Sequence, residues 1–228
     1  MISTMSADAV RALVIEAVVF DLDGVLLDSE EVWDSVRESL VRERGGRWHE
    51  RAQRDMMGMS SLEWSRHMHD ALGLPEAPEE INREVAARLA ARYREHLPLV
   101  PGATESVRRL GARWPLGLAS SSNRVLIDLV LELAGVAPLF TATVSSEEVG
   151  RGKPAPDVYL EVARQLGVEP ARAAAVEDSH NGILAARAAE MRVIAVPNPE
   201  FPPGPEALAQ ADLVVSSLAE LTLDAVAG

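Results

Sequence analysis

Apolar residues fall into two textures along this chain. Short unbroken runs rich in Val, Ile and Ala alternate with longer stretches whose apolar positions recur every three or four residues. The first run, residues 14–20, stops abruptly at Asp21-Leu22-Asp23-Gly24 and predicts a buried strand. Similar runs at 116–119, 142–145, 173–176, 193–196 and 212–215 predict further strands. Helical spacing predicts helices over 104–111, 125–134, 157–166 and 183–189. Strands alternating with helices of about ten residues predict a parallel sheet covered on both faces. Between 30 and 97 the texture is charged and helix-periodic, with breaks at Gly45-Gly46, Gly58 and Pro75 to Pro78. Within it Ile81, Val85, Leu89 and Tyr93 share one helix face. The expected fold is therefore α/β: a Rossmann-like core of residues 1–29 and 98–228, with 30–97 as an all-helical insert. Five prolines between Pro197 and Pro205 predict an irregular loop.

Composition narrows the function. The 228 residues include no cysteine, which excludes a disulfide scaffold, a thiolate metal site and a cysteine nucleophile. A formal net charge of -13 argues against a nucleic-acid partner, whose phosphates call for a basic surface. No run approaches the length of a membrane span, and residues 1–9 lack the basic region and apolar run of a signal peptide. The expectation is a cytoplasmic protein with no membrane partner, and a monomer by default.

Candidate chemistry sits at the strand ends, where parallel sheets place functional groups. Asp21 and Asp23 follow the first strand, Ser120 the second, and Glu177 and Asp178 a later one; Lys153 stands in a loop before a helix. Read singly, each has a plain alternative: Asp and Gly form turns, Ser120 to Ser122 caps a helix, Lys153 is solvated, and Asp178 suits a helix N-terminus. Read together, they converge on one sheet edge. Clustered carboxylates repel and need a cation, and an all-oxygen ligand set selects Mg2+. Beside such an ion one carboxylate serves as nucleophile toward phosphorus and a second as general acid and base. Lys and Ser would bind the phosphoryl oxygens.

Asp21-Leu22-Asp23-Gly24-Val25, Ser120, Lys153-Pro154 and Glu177-Asp178-Ser179 resemble the four ordered motifs of the haloacid dehalogenase superfamily. The likeness is to its β-phosphoglucomutase and sugar-phosphate phosphatase branch and spans nearly the whole chain. It implies Asp21 as nucleophile, Asp23 as general acid/base, and Ser120 and Lys153 as phosphoryl ligands. It also implies Mg2+ held by the Asp21 side chain, the Asp23 carbonyl and Asp178, with Glu177 ligating directly or through water. Residues 30–97 would be the cap that closes on the core. Ser121 and Asn123 past the second strand, Gly58 in the cap loop and Trp33 at the hinge are the candidate substrate contacts. Arg124, His180 and Asn181 stand nearby. Met56, Met57, Met59 and Met68 either pack the cap or line the pocket. Two departures separate the chain from the mutase: Trp33 stands where the mutase has His, and Ser61 where it has the Arg for a second phosphate. The expected function is a phosphatase acting on a small phosphate ester, most simply a sugar phosphate, through an aspartyl-phosphate. The alternatives are a phosphosugar mutase and a non-catalytic binding protein on the same scaffold. A dehalogenase is disfavoured because it typically lacks the second Asp, here Asp23.

Overall fold

In the computed structural model, which describes residues 14–56 and 59–228, the first apolar run forms β1 (Ala17–Phe20), buried throughout. Four helices follow: α1 (Glu30–Glu43), α2 (Ala52–Met56), α3 (Ser61–Asp70) and α4 (Pro78–Glu95). Then come α5 (Ala103–Gly111), β2 (Leu116–Ser120), α6 (Arg124–Leu133), β3 (Phe140–Ser145) and α7 (Asp157–Leu166). The chain ends with β4 (Ala173–Glu177), α8 (His180–Ala188), β5 (Arg192–Ala195), α9 (Pro205–Leu208), β6 (Leu213–Val214) and α10 (Leu223–Ala227).

The strands form one parallel sheet in the order β3-β2-β1-β4-β5-β6. The order reverses at β1, so the crevice beyond its carboxyl end is the natural ligand position. Side chains alternate across the sheet. Val18, Phe20, Leu118, Val176 and Ile194 join one apolar core with Val107 and Leu110 of α5 and Ile127 and Val130 of α6. Ala17, Val19, Ala175, Val193 and Ala195 join the other with Val158 and Val162 of α7 and Ile183 and Ala186 of α8. Burial on both faces explains why these strands read as unbroken apolar runs rather than alternating ones.

Several boundaries differ from expectation, β1 opening at Ala17 rather than 14 and β3 at Phe140 rather than 142. The helix α8 starts at His180 rather than Ile183, because the Ser179 hydroxyl accepts the Gly182 N–H and caps it there. The last strand, β6, is a two-residue edge strand with Val214 exposed. The proline-rich segment ends in a short helix, α9, with Pro205 in the first helical position, where its missing N–H costs nothing.

The helices α1–α4 bury their own apolar faces in a core continuous with one side of the sheet. Trp33, Leu40, Trp64, Met68, Ile81, Val85, Leu89 and Tyr93 all belong to it. The two chain crossings into and out of this segment lie side by side. Leu27 bridges Leu99, and the Asp28 N–H donates to Pro98 O at 2.7 Å. Among the described residues no helix is long and apolar enough to cross a membrane.

Candidate active site

The register of β1 against β4 pairs Phe20 with Val176, and the Asp21 N–H donates to Val176 O at 3.0 Å. Asp21 and Glu177 therefore leave the sheet side by side. Between them lies Lys153, whose Nζ donates to Asp21 Oδ1 at 2.6 Å, Glu177 Oε1 at 2.6 Å and Ala119 O at 3.0 Å. All three ammonium donors are thus used. Burial alone would lower the Lys153 pKa, but Asp21 and Glu177 together outweigh it and raise it, so the cation is fixed.

Glu177 is densely hydrogen-bonded. One oxygen accepts from Lys153 and from Tyr159 OH at 2.7 Å, the other from the N–H groups of Asp178 and Ser179 and from Ser179 Oγ. These bonds fix the carboxylate beside Asp21 and Asp178, where one of its oxygens also stands within reach of a shared ion. It also holds Lys153 in place.

Asp178 is the reverse case. It is buried, and its Oδ1 has no hydrogen-bond partner among the described residues. Oxygens of Asp21, Glu177 and Asp178 lie within 4.8 Å of one another. Burial lifts the pKa of Asp21 and of Asp178 above the usual carboxylate range; Lys153 opposes the rise on Asp21, and neighbouring carboxylates add to it on both. Two buried carboxylates with an unpartnered oxygen fit a hard divalent cation. Asp21 and Asp178, with Glu177 beside them, are the side chains that could hold it.

Gly24 makes room for this arrangement. It adopts φ +83°, and a Cβ there would lie 1.9 Å from Asp178 Oδ2. Gly24→Ala should displace Asp178 and lower divalent-cation affinity by about tenfold or more, read by calorimetric titration with Mg2+. Unchanged affinity would remove Asp178 from the ion's ligands.

Asp23 lies two residues beyond Asp21 and lines the same cleft. Its Oδ1 accepts from Ser29 Oγ at 2.6 Å and Trp33 Nε1 at 3.1 Å, and its Oδ2 from Ser122 Oγ at 2.6 Å. Hydroxyls accept as well as donate, so Ser29 and Ser122 can serve Asp23 in both its charged and its protonated form.

A cleft of about 200 Å³ opens over this cluster, lined by Asp21, Asp23, Lys153 and Asp178 on the sheet side and by Glu30, Trp33, Arg37 and Trp64 opposite. Of the residues singled out in the sequence, Trp33, Ser121, Met56, Met59, His180 and Asn181 also line it. Ser120 is fully buried below, its Oγ accepting the Ser122 N–H at 3.0 Å. Gly58 and Met57 lie outside the described residues.

Asn123 does not line the cleft. It stands at the start of α6, and its Nδ2 donates to Asn82 Oδ1 at 2.9 Å and Glu147 Oε1 at 2.6 Å. The expected substrate contact is instead a tie between the sheet loops and α4. Arg124 is spent on Glu148, Asp128 and Thr143, and Ser61 donates to Glu147 at 2.8 Å.

Several lining residues escaped the sequence reading. Arg37 lies one helical turn beyond Trp33, an i, i+4 spacing that would have placed the two on one face. Phe201, Pro202, Pro203 and Gly204 belong to the proline-rich loop, which leaves the same sheet edge after β5. Ser122, which lines the cleft, and the buried Ser29, both bonded to Asp23, carried no separate signal.

The model of the haloacid dehalogenase-like hydrolases matches residues 15–190. The chain belongs to this family. It is 36% identical to Hexitol phosphatase B of Escherichia coli over 226 residues, covering 90% of this chain and 94% of that protein. It is 34% identical to the probable pseudouridine-5'-phosphatase of Drosophila melanogaster, over 89% of each chain. The crystal structure of CbbY from Rhodobacter sphaeroides in complex with phosphate superposes with a TM-score of 0.83 at 28% identity, covering 93% of this chain and 99% of that one. The chain is thus a hydrolase of this family, with its parallel-sheet core and a buried acidic cluster suited to a divalent metal.

Proposed function

We propose that the chain is a Mg2+-dependent phosphatase of a small phosphorylated metabolite, a sugar or sugar-alcohol phosphate, and that residues 30–97 act as its cap. The observation that carries this reading is the Lys153-bridged pair of Asp21 and Glu177 beside the unpartnered oxygen of Asp178. Phosphatase relatives and a neighbour holding phosphate support the substrate class.

Lys153 engages one oxygen of Asp21, and among the described residues the other accepts no hydrogen bond, which leaves it free to attack phosphorus. As the new Asp21–phosphorus bond forms, the ester P–O bond breaks, and the leaving oxygen takes a proton from Asp23. Asp23, now a carboxylate, removes a proton from water as that water attacks the phosphoryl group on Asp21. The acyl phosphate bond breaks, inorganic phosphate leaves, and Asp21 is regenerated. Lys153 and the N–H groups past Ser120 offset the charge on the transferring oxygens. Bound Mg2+, on Asp21 and Asp178, would supply further charge neutralisation and orientation there.

Hydrolysis is favoured over phosphoryl relay between two sugar positions. Trp33 occupies the place of the mutase His and donates only, and Ser61 is bonded to Glu147 rather than turned to the cleft. Phosphate release from a panel of sugar phosphates should be lost on chelation with EDTA and return with added Mg2+. Release that is indifferent to the chelator would overturn the reading.

A further inference from the structure

The wall of the cleft facing the phosphoryl site holds a cation that the chemistry above does not use. Arg37 is 5% exposed and lines the cleft. Its guanidinium carbon lies 4.4 Å from the ring centroid of Trp33 and 4.8 Å from that of Trp64. Buried arginines are normally paired, because an uncompensated charge is costly out of water. Here, among the described residues, Arg37 makes no ion pair. Its one hydrogen bond, Nη1 to Gln53 Oε1, is 3.5 Å long, and its Nε is buried without a partner. Burial draws its pKa down to about 10, against the pull of Glu30 and Asp23, so it stays charged at neutral pH. The guanidinium is held by two indoles and presents donors that the protein leaves unmet.

Its surroundings indicate what those donors meet. Gln53 donates from Nε2 to Glu30 Oε2 at 2.8 Å, and the other Glu30 oxygen accepts nothing among the described residues. The same wall therefore offers a donor at Arg37, an acceptor at Glu30 and the indole surfaces of Trp33 and Trp64. A chain of hydroxyl groups, each donor and acceptor at once, matches that set. A second phosphate does not. The cleft already gathers Asp21, Asp23, Glu30 and Asp178 against only Lys153 and Arg37, and Lys153 has spent its donors. With Asp23 protonated as the general acid, a divalent cation would leave one net positive charge to meet the transferring phosphate; another dianion would go uncompensated at low dielectric.

Resting on the phosphatase reading, we infer that Arg37 is a specificity-determining residue that donates to hydroxyl oxygens of the substrate's unphosphorylated end, with Glu30 accepting beside it. The subsite takes a neutral, polyhydroxylated tail rather than a second anion.

The test compares glucitol monophosphate, p-nitrophenyl phosphate and a hexose bisphosphate with the unmodified protein, Arg37→Met and Arg37→Lys. In Arg37→Met, kcat/KM for glucitol monophosphate should fall about 10- to 100-fold, chiefly through KM. Turnover of p-nitrophenyl phosphate, whose tail has no hydroxyl, should stay within about threefold, which also shows that the variant folds. Arg37→Lys should recover part of the loss. Equal losses on both monophosphates, or none, would overturn the assignment, as would a larger loss on the bisphosphate than on glucitol monophosphate. Failure of the unmodified protein to hydrolyse p-nitrophenyl phosphate is a different result: it overturns the phosphatase reading, and this inference with it.

Discussion

Replacing Asp21 with asparagine is expected to abolish phosphate release while leaving the fold intact. The two side chains are nearly isosteric, and an amide oxygen can still accept from Lys153, which also keeps its bonds to Glu177 and Ala119 O. The amide is too poor a nucleophile to form the covalent intermediate, so kcat should drop at least about 10³-fold. Stability should hold or rise, because one member of a crowded group of buried carboxylates becomes neutral; Asp21 is pushed up to about 8 by burial, with Glu177 and Asp23 adding to the rise and Lys153 opposing it. Single-turnover phosphate release together with calorimetric melting checks both halves. Turnover within about tenfold of the unmodified protein would end the nucleophilic role of Asp21.

Lys153→Met should be as severe for activity and far worse for stability. The ammonium is the cation that Asp21 and Glu177 share, so its loss leaves both carboxylates buried and facing one another. Breaking a buried pair from one side costs about 3–5 kcal/mol. For a chain of this size that lowers Tm by roughly 6–20 °C. The loss should depend on pH in a defined sense. Asp21 titrates at a higher pH folded than unfolded, so its contribution to stability is complete below the unfolded value of 3.8 and is lost as pH rises through about 8. Without Lys153 the folded value rises further. In chelator-treated protein, the Tm gap between variant and parent should therefore stay level well below pH 8 and widen as pH rises through about 8, where Asp21 ionises in the parent but not yet in the variant. A constant gap would mean that Lys153 acts by packing rather than by charge.

These two residues were legible in the sequence for a simple reason. A buried parallel strand is an apolar run, and polar residues at its end are the ones delivered to the sheet edge. Asp21 and Glu177 needed no more than that, and Lys153 needed the order of the motifs. Arg37 was hidden by the opposite logic. A charged residue on an amphipathic helix reads as solvent-facing, and only Trp64, from another helix, turns its surroundings into a buried wall. Tyr159 sits on the apolar face of α7, and its hydroxyl reaches Glu177 only because that helix lies across the sheet. The loop at Phe201 to Gly204 reaches the cleft because β5 stands two strands from β1, an order that no local pattern encodes. Periodicity thus located the chemistry, while the wall opposite it depended on contacts between distant segments.

Glu147 has a consequence for protein engineering. Its carboxylate accepts from Ser61 Oγ and Asn82 Nδ2 on the helical segment, and from Asn123 Nδ2 and the Arg124 N–H on the sheet side. The helices are joined to the sheet by this stitch as well as by the two chain crossings and the shared apolar core. They are therefore not a cassette that can be exchanged by cutting at those crossings. A chimera that borrowed residues 30–97 alone would carry Ser61 and Asn82 without their acceptor. A transferable unit must include the loops bearing Asn123 and Glu147, so the boundary for swapping substrate preference runs through the sheet's own loops.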